Sequence, residues 1–148
     1  MKPKHEKGFS LIELLIVVVI VGLIAAIAIP YLQKAVGRAE NGNAYASLKT
    51  LTKAQLNYFS LKGRYARLDE LNAAEGNTLG ITSGNQLRRG VFTLAMSPAT
   101  PTDTELENNF QVIATKATTV SNTPCVLSVD ASGYVDDVFS YGCVDFGD

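Results

Sequence analysis

Positions 14–29 read LLIVVVIVGLIAAIAI, sixteen consecutive residues without a polar side chain. Counted from Phe9 to Ile29, the apolar segment is twenty-one residues long. As an α-helix it measures about 31 Å, which matches the roughly 30 Å hydrocarbon core of a membrane. The sequence therefore predicts a membrane-spanning helix over residues 9–30.

The rest of the chain has the composition of one small domain. The sequence has 148 residues, of which 47% are hydrophobic and 18% are charged, and its mean hydropathy is +0.12. These values exclude a disordered or collagen-like chain. They indicate a single domain attached to the membrane-length segment.

The N-terminus is basic. Residues 1–8 read MKPKHEKG and contain three lysines, which predicts that the N-terminus stays in the cytoplasm and that the domain lies across the membrane. A secretory signal peptide is the alternative, because Ala26-Ile27-Ala28 has the small residues of a cleavage site. The apolar stretch is longer than the roughly 7–15 residues of such peptides and contains Glu13, so a span is favoured.

Helical patterning resumes after Pro30, although proline normally ends or kinks a helix. Apolar residues then recur at spacings of three and four, at Ala44, Leu48, Leu51, Ala54, Tyr58 and Leu61. This stripe predicts an amphipathic helix over residues 31–62 whose apolar face covers a sheet. We expect Gly63 to end it.

The remainder, residues 63–148, predicts a globular head. Residues 62–86 read as a loop with a short helical turn at 68–74, and residues 97–104 as a Pro- and Thr-rich connection. Four β-branched or aromatic runs are strand candidates, at 91–96, 110–115, 125–130 and 134–141. The predicted fold class is α+β, with a long N-terminal α-helix packed by its second half on a roughly four-stranded antiparallel sheet.

The two cysteines, Cys125 and Cys143, leave two interpretations open. No histidine lies near them, so a zinc site would lack ligands. A disulfide is expected if this part of the chain lies outside the cytoplasm. Two buried free thiols are the alternative.

Charge is distributed unevenly along the chain. Residues 31–67 contain seven basic side chains and one acidic, whereas residues 101–148 contain eight acidic and one basic. This asymmetry indicates a nucleic-acid patch, two surfaces that meet in self-association, or ordinary solvated surface. The candidate DNA contacts are Lys49, Lys53, Lys62, Arg64, Arg67, Arg88 and Arg89. A calcium site built from Asp130, Asp136, Asp137, Asp145 and Asp148 would lack a loop signature.

Glu13 is the ionisable residue within the apolar stretch. A carboxylate in a membrane span costs a few kcal/mol, so it indicates a function and requires a partner. A position one turn inside the interface, with the side chain reaching toward water, is the alternative. If the chain were cut after Gly8, the new α-amino group of Phe9 would lie in the same layer of a bundle of parallel copies and would neutralise a neighbouring Glu13.

These residues carry a resemblance to a known family. Residues 7–18 read KGFSLIELLIVV, Gly22 follows, and residues 25–30 read AAIAIP. The segment resembles the N-terminal part of type IV prepilins, which carry a class III signal peptide, and of the related type II secretion pseudopilins. The likeness covers roughly the first forty residues. Beyond them the chain resembles the family in layout only, with a helix, a loop, an antiparallel sheet and a C-terminal cysteine pair.

The resemblance implies a route of maturation and assembly. A prepilin peptidase would cut between Gly8 and Phe9 and methylate the Phe9 amine, which Glu13 of a neighbouring subunit would then engage. The segment from Gly22 to Pro30 would lose helical order in the filament. An assembly ATPase acting through a membrane platform protein would drive extraction, and residues 125–143 would form the variable surface loop.

The implied product is a type IV pilus subunit of four parts. Residues 1–8 would be the leader, 9–30 the transmembrane and filament-core helix, 31–62 its amphipathic continuation and 63–148 the head. The precursor would cross the inner membrane once, and the assembled homopolymer would be an extracellular filament for adhesion, motility or DNA uptake. A minor pilin or a pseudopilin is the alternative within this superfamily, and a DNA-binding pilin module is the alternative from another class.

The sequence predicts no enzyme, metal or cofactor. Its single histidine, His5, lies in the implied leader. We find no acid/base constellation, phosphate loop or spacing of metal ligands.

Overall fold

The computed structural model describes residues 8–116, 125–137 and Cys143. The chain divides into two compact units, Met1–Val36 and Gly37–Asp148. The helices are α1 (Leu11–Lys62), α2 (Leu68–Ala74) and α3 (Asp103–Asn108). The strands are β1 (Ile81–Ser83), β2 (Gln86–Arg89), β3 (Phe92–Met96), β4 (Gln111–Lys116), β5 (Cys125–Asp130) and β6 (Val135–Asp137).

The first unit contains the membrane-length part of α1. Its large apolar side chains from Phe9 to Tyr31 are each at least 51% exposed. By length and composition, α1 is the one helix in the described part of the chain that is able to cross a membrane. Pro30 lies inside this helix, so the expected continuation of the helix beyond the proline is present.

The second unit contains an antiparallel sheet in which each strand pairs with the next in sequence, in the order β1-β2-β3-β4-β5-β6. The expected α+β class, with α1 against an antiparallel sheet, is confirmed. The expected count of four strands was too low, because β1 lies in the region that we expected to be loop and β2 runs from the last residue of that region, Gln86, to Arg89. The last strand, expected at 134–141, is described over Val135–Asp137, and 138–141 lie outside the described residues.

The core of the second unit lies between α1 and the sheet. The predicted stripe residues Ala44, Leu48, Leu51 and Ala54 are buried there, with side chains from strands β2 to β6 such as Leu87, Leu94, Val112 and Leu127. Burying these aliphatic side chains stabilises the unit by about 1.5–3 kcal/mol for each large one.

The stripe prediction was wrong at its C-terminal end. Leu61 is 74% exposed, whereas Gln55, which does not belong to the predicted stripe, is fully buried. Gln55 Nε2 donates to Ala66 O, and Ala66 N–H donates to Gln55 Oε1, both at 2.8 Å. The buried face of α1 therefore turns toward the returning chain at Ala66 before it reaches Leu61.

Two further features bear on the predictions. The helical turn expected at 68–74 is α2, but the connection expected at 97–104 contains the start of α3. Cys125 and Cys143 form a disulfide, so the expectation of a disulfide is confirmed over that of free thiols.

Candidate assembly segment

Phe9 and Glu13, the two residues singled out from the sequence, lie at the N-terminus of α1, Phe9 just before the helix and Glu13 within it. Gly8, Phe9 and Ser10 precede the helix, and the N–H groups of Glu13 and Leu14 donate to Ser10 O at 3.1 and 3.2 Å. Glu13 therefore lies in the first turn, where the partial positive charge of the free backbone N–H groups favours a carboxylate. Phe9 is 84% exposed.

Exposed apolar side chains surround Glu13. Its helical neighbours Ile12, Leu14, Ile16 and Val17 are each at least 53% exposed. A contiguous apolar surface of this size on a chain marks a membrane or an interaction surface. Glu13 is thus an acid presented in the middle of a surface that has to be covered by lipid or by protein.

The segment that the resemblance predicts to lose helical order is helical here. Its two named residues weaken the helix for reasons that can be stated. An added Cβ at Gly22 would meet no atom within 4 Å, so no packing within the chain requires the glycine, which costs about 1 kcal/mol relative to alanine. Pro30 has no N–H to donate to the carbonyl of Ala26 and crowds that carbonyl, a cost of about 3 kcal/mol or more.

The proposed DNA contacts are largely occupied by contacts within the chain. Lys49 Nζ donates to Gly133 O at 2.7 Å and lies 5.5 Å from the centre of the Tyr45 ring. Arg89 Nη1 donates to Leu79 O at 3.1 Å. These basic side chains fasten α1 and the sheet to neighbouring backbone, which weakens the case for a nucleic-acid patch.

Arg64 and Arg67 belong to an ion-pair network at the end of α1. Arg64 Nη1 lies 2.9 Å from Glu70 Oε2, and Arg67 Nη2 lies 2.7 Å from Asp103 Oδ1. The hydrogen bond from Arg64 lowers the pKa of the Glu70 carboxyl, helped by the Arg67 backbone N–H. The same bond raises the pKa of Arg64. The network joins the loop after α1 to the N-termini of α2 and α3.

Sequence reasoning did not identify the acidic partners in these contacts. Glu70 lies six residues from Arg64, but Asp103 lies 36 residues from Arg67 and Glu40 lies 76 residues from its partner Lys116. Separations of this length leave no local signal in one sequence.

A metal site is not formed by the described residues: within 8–116, 125–137 and 143 no three His, Cys, Asp or Glu side chains are grouped to hold an ion. Asp145 and Asp148, two of the five aspartates considered for calcium, lie outside that part of the chain.

Comparisons with known proteins identify the N-terminal segment. A family model described as the prokaryotic N-terminal methylation motif matches residues 3–29. The type IV major pilin protein PilA of Myxococcus xanthus is 50% identical over 62 residues, 42% of this chain and 28% of that protein. The fimbrial protein EcpC of Eikenella corrodens is 43% identical over 63 residues, 43% of this chain and 41% of that protein.

A third relative extends the likeness further along the chain. The type IV major alpha-pilin of Moraxella bovis is 35% identical over 81 residues, 53% of this chain and 48% of that protein. The chain thus spans less than half the length of each of these three relatives. No solved structure matches it. Over its N-terminal part this chain is therefore similar to type IV pilins and fimbrial proteins, and it carries their N-terminal methylation motif.

Proposed function

We propose that this protein is the structural subunit of a type IV pilus, polymerised through the N-terminal part of α1. The observation that carries the proposal is the apolar surface from Phe9 to Tyr31, whose large side chains are each at least 51% exposed. Lipid covers this surface in the precursor, and the same segment of other copies covers it in the fibre. The names of the relatives, major pilin and fimbrial protein, agree with an abundant shaft subunit.

Specificity in such a bundle has to come from something other than burial. A helix that leaves lipid for a core of similar helices exchanges one apolar environment for another, so packing and polar contacts decide the geometry. We assign the polar contact to Glu13, which would pair with the methylated α-amino group of Phe9 in a neighbouring copy after cleavage between Gly8 and Phe9. The match of residues 3–29 to a methylation motif supports this assignment.

The segment from Gly22 to Pro30 also has a role in the proposed assembly. Gly22 and Pro30 lower the helical stability of the stretch between them, and that stretch would give up helical order when the head units pack around the core. In this role the chain has four parts, which are the leader (1–8), the transmembrane and filament-core helix (9–30), its amphipathic continuation (31–62) and the head (63–148). The partners are a prepilin peptidase, a platform protein and an assembly ATPase, with the precursor in the inner membrane and the filament outside the cell.

The test replaces Glu13 by alanine in the full chain and compares surface fibres with total processed subunit. Fibre yield is expected to fall by at least about tenfold while processing continues, because the amine of Phe9 would be left unpaired in an apolar core. Asp69→Ala, an exposed acid on α2, is the matched control and should leave the yield unchanged. Normal fibre yield for the Glu13 variant contradicts the assembly role.

N-terminal sequencing of subunits taken from sheared fibres tests the processing step. N-methylated Phe9 is the expected first residue. Any other first residue contradicts the assignment of the cleavage site.

A further inference from the structure

The second unit carries different charges at the two ends of its helix. At one end, Lys116 Nζ lies 2.5 Å from Glu40 Oε2, which ties the end of β4 to α1. Lys116 pairs in register with Phe92 at the start of β3, so the junction of β2 and β3 also lies at this end. The junction exposes Arg88 and Arg89, and we call it the arginine end.

The other end is formed by α3. Tyr65 N–H donates to Leu106 O at 2.8 Å, which places α3 beside the chain that follows the C-terminus of α1. Glu105 and Glu107 of α3 are exposed, and we call these two residues the acidic end. Glu40 and Lys62 mark the two ends on α1, and their separation of 22 residues corresponds to about 33 Å.

Nearby ion pairs sharpen this difference in charge. Glu40 and Lys116 neutralise each other at the arginine end. At the other end Arg64 and Arg67 are paired with Glu70 and Asp103. Arg89 also donates to Leu79 O, Glu105 also caps its own helix at Thr102, and the exposed Lys62 lies near the acidic end. The charges that the two ends offer most directly to a partner are therefore those of Arg88 and Glu107.

A groove beside the arginine end adds shape to the charge. It has a volume of about 390 Å³ and lies between α1 and β3, lined by Asn43, Ser47, Arg89, Val91 and Phe92 among others. Val91 is 50% exposed, so the groove combines apolar surface with a basic rim. The opposite end of α1 exposes Leu61, at 74%, which is the apolar counterpart of that surface.

We propose that, in the filament of the proposed function, α3 of one copy docks against the arginine end of another, with Glu107 facing Arg88. The two surfaces are different and lie at opposite ends of one unit. Such a heterologous contact repeats in one direction, and it gives a fibre when the rotation between successive copies does not close a ring. Complementary charge steers the encounter and fixes the register of the contact.

The experiment reverses charge at each end of the full-length chain. Arg88→Glu and Glu107→Arg are each expected to lower the yield of surface fibres by about tenfold, because like charges would face each other at every subunit contact. The double variant restores opposite charges in exchanged positions, and its yield should return to within about threefold of wild type. Both positions are exposed, so the disulfide should still form, as a non-reducing gel would show.

A matched combination separates a local contact from net charge. Arg88→Glu with Asp136→Arg also restores the net charge, but Asp136 is an exposed residue on β6. This combination should stay at the low yield of Arg88→Glu alone. Rescue equal to that of the exchanged pair would overturn the contact.

The outcomes distinguish this contact from the function on which it rests. Wild-type fibres together with full yield from both single reversals would overturn the contact and leave the subunit role standing. A wild-type chain that forms no fibres would overturn the subunit role and the contact together. Fibres that fail with either reversal and recover with the exchange support both.

Discussion

Position 55 of α1 has a glutamine where a buried helix face usually carries an aliphatic side chain. Its amide pairs with both the N–H and the carbonyl of Ala66 at 2.8 Å. Gln55→Leu would leave both backbone groups buried and unpaired, at a cost of roughly 2–4 kcal/mol. We expect a clearly lower thermal midpoint for the detergent-solubilised full chain, followed by circular dichroism.

The neighbouring Asn57→Leu controls for the change in side chain. Asn57 is exposed on the same helix, and its replacement should change stability by no more than about 0.5 kcal/mol. Equal midpoints for the two variants would show that the Ala66 pairing contributes little.

The Arg64–Glu70 pair makes stability depend on pH in a definite direction. The Arg64 hydrogen bond lowers the pKa of Glu70 below its ordinary value. A carboxyl whose folded-state pKa is lowered contributes its full stability above the unfolded-state pKa, about 4.3, and loses it as the pH falls through the folded-state pKa. Glu70→Gln should therefore lower the thermal midpoint at pH 7, by a free energy of roughly 1 kcal/mol.

The thermal midpoints of wild type and Glu70→Gln should become equal as the pH is lowered well below 4, because Glu70 of the wild type is then protonated in both the folded and the unfolded state. Asp69→Asn, at the exposed neighbouring position, serves as the control. A difference between wild type and Glu70→Gln that persists unchanged into acid would contradict the ion-pair origin.

Single residues show where the apolar pattern of the sequence no longer predicts which side chains are buried. The spacing of Ala44, Leu48, Leu51 and Ala54 was sufficient to identify the buried face of α1, because each aliphatic residue follows the helical period. The same period wrongly predicted that Leu61 is buried. At that end of α1 the buried face is the one that contacts the returning chain at Ala66, and Leu61 does not lie on it. Gln55 could not be found in the same way, because a polar residue is buried only when a partner distant in sequence satisfies it.

At the level of elements, α3 depends on its N-terminal cap. Thr102 Oγ1 accepts from Glu105 N–H, and Glu105 Oε2 accepts from Thr102 N–H at 2.7 Å. Thr102→Ala removes one half of this capping box, a loss of ~1 kcal/mol. Hydrogen exchange of the peptide that contains α3 should become roughly fivefold faster in the full chain.

Thr102→Ser keeps the hydroxyl and is the matched control, for which exchange should stay near the wild-type rate. Unchanged exchange in the alanine variant would show that the six-residue helix is held by its tertiary contacts alone.

The three elements absent from the sequence prediction, α3 and the strands β1 and β2, had local signals. Thr102 and Glu105 have the spacing of a capping box, but the surrounding prolines and threonines made the segment read as a connection. Gly84-Asn85 joins Ser83 to Gln86 as a two-residue hairpin turn with Gly84 at φ 58°, and Gly-Asn is a known signal for such turns. Strands β1 and β2 were missed because they are short and because three of the four β2 residues are exposed and polar or charged.

At the scale of the whole molecule, the Cys125–Cys143 disulfide closes a loop with a sequence separation of 18 residues. Replacing both cysteines by serine should destabilise the second unit by about 3 kcal/mol in the chain-entropy description. The expected result is a lower thermal midpoint for the variant and for wild type in reductant. Reductant should not change the midpoint of the variant, and a wild-type midpoint insensitive to reductant would contradict the prediction.

The assembly segment and the head differ in how far the sequence alone predicts them. Phe9, Glu13, Gly22 and Pro30 lie in one continuous motif whose physical requirements are local, so each could be named without a structure. The arginine end and the acidic end could not, because their relative placement depends on the registry of β3 with β4 and on the docking of α3. The uneven charge was visible in sequence, but its arrangement was not.

The pairing of each strand with its successor, from β1 to β6, bears on how the head is made in a cell. Pairing between strands that are adjacent in sequence keeps the entropy cost of loop closure low, because no strand pairs with one that is distant in sequence. Strands can therefore pair in the order in which they are synthesised, each on the edge left by the last. Cys143 follows β6 in sequence, so its disulfide to Cys125 can form only after all six strands have been made, and it locks strands that have already paired.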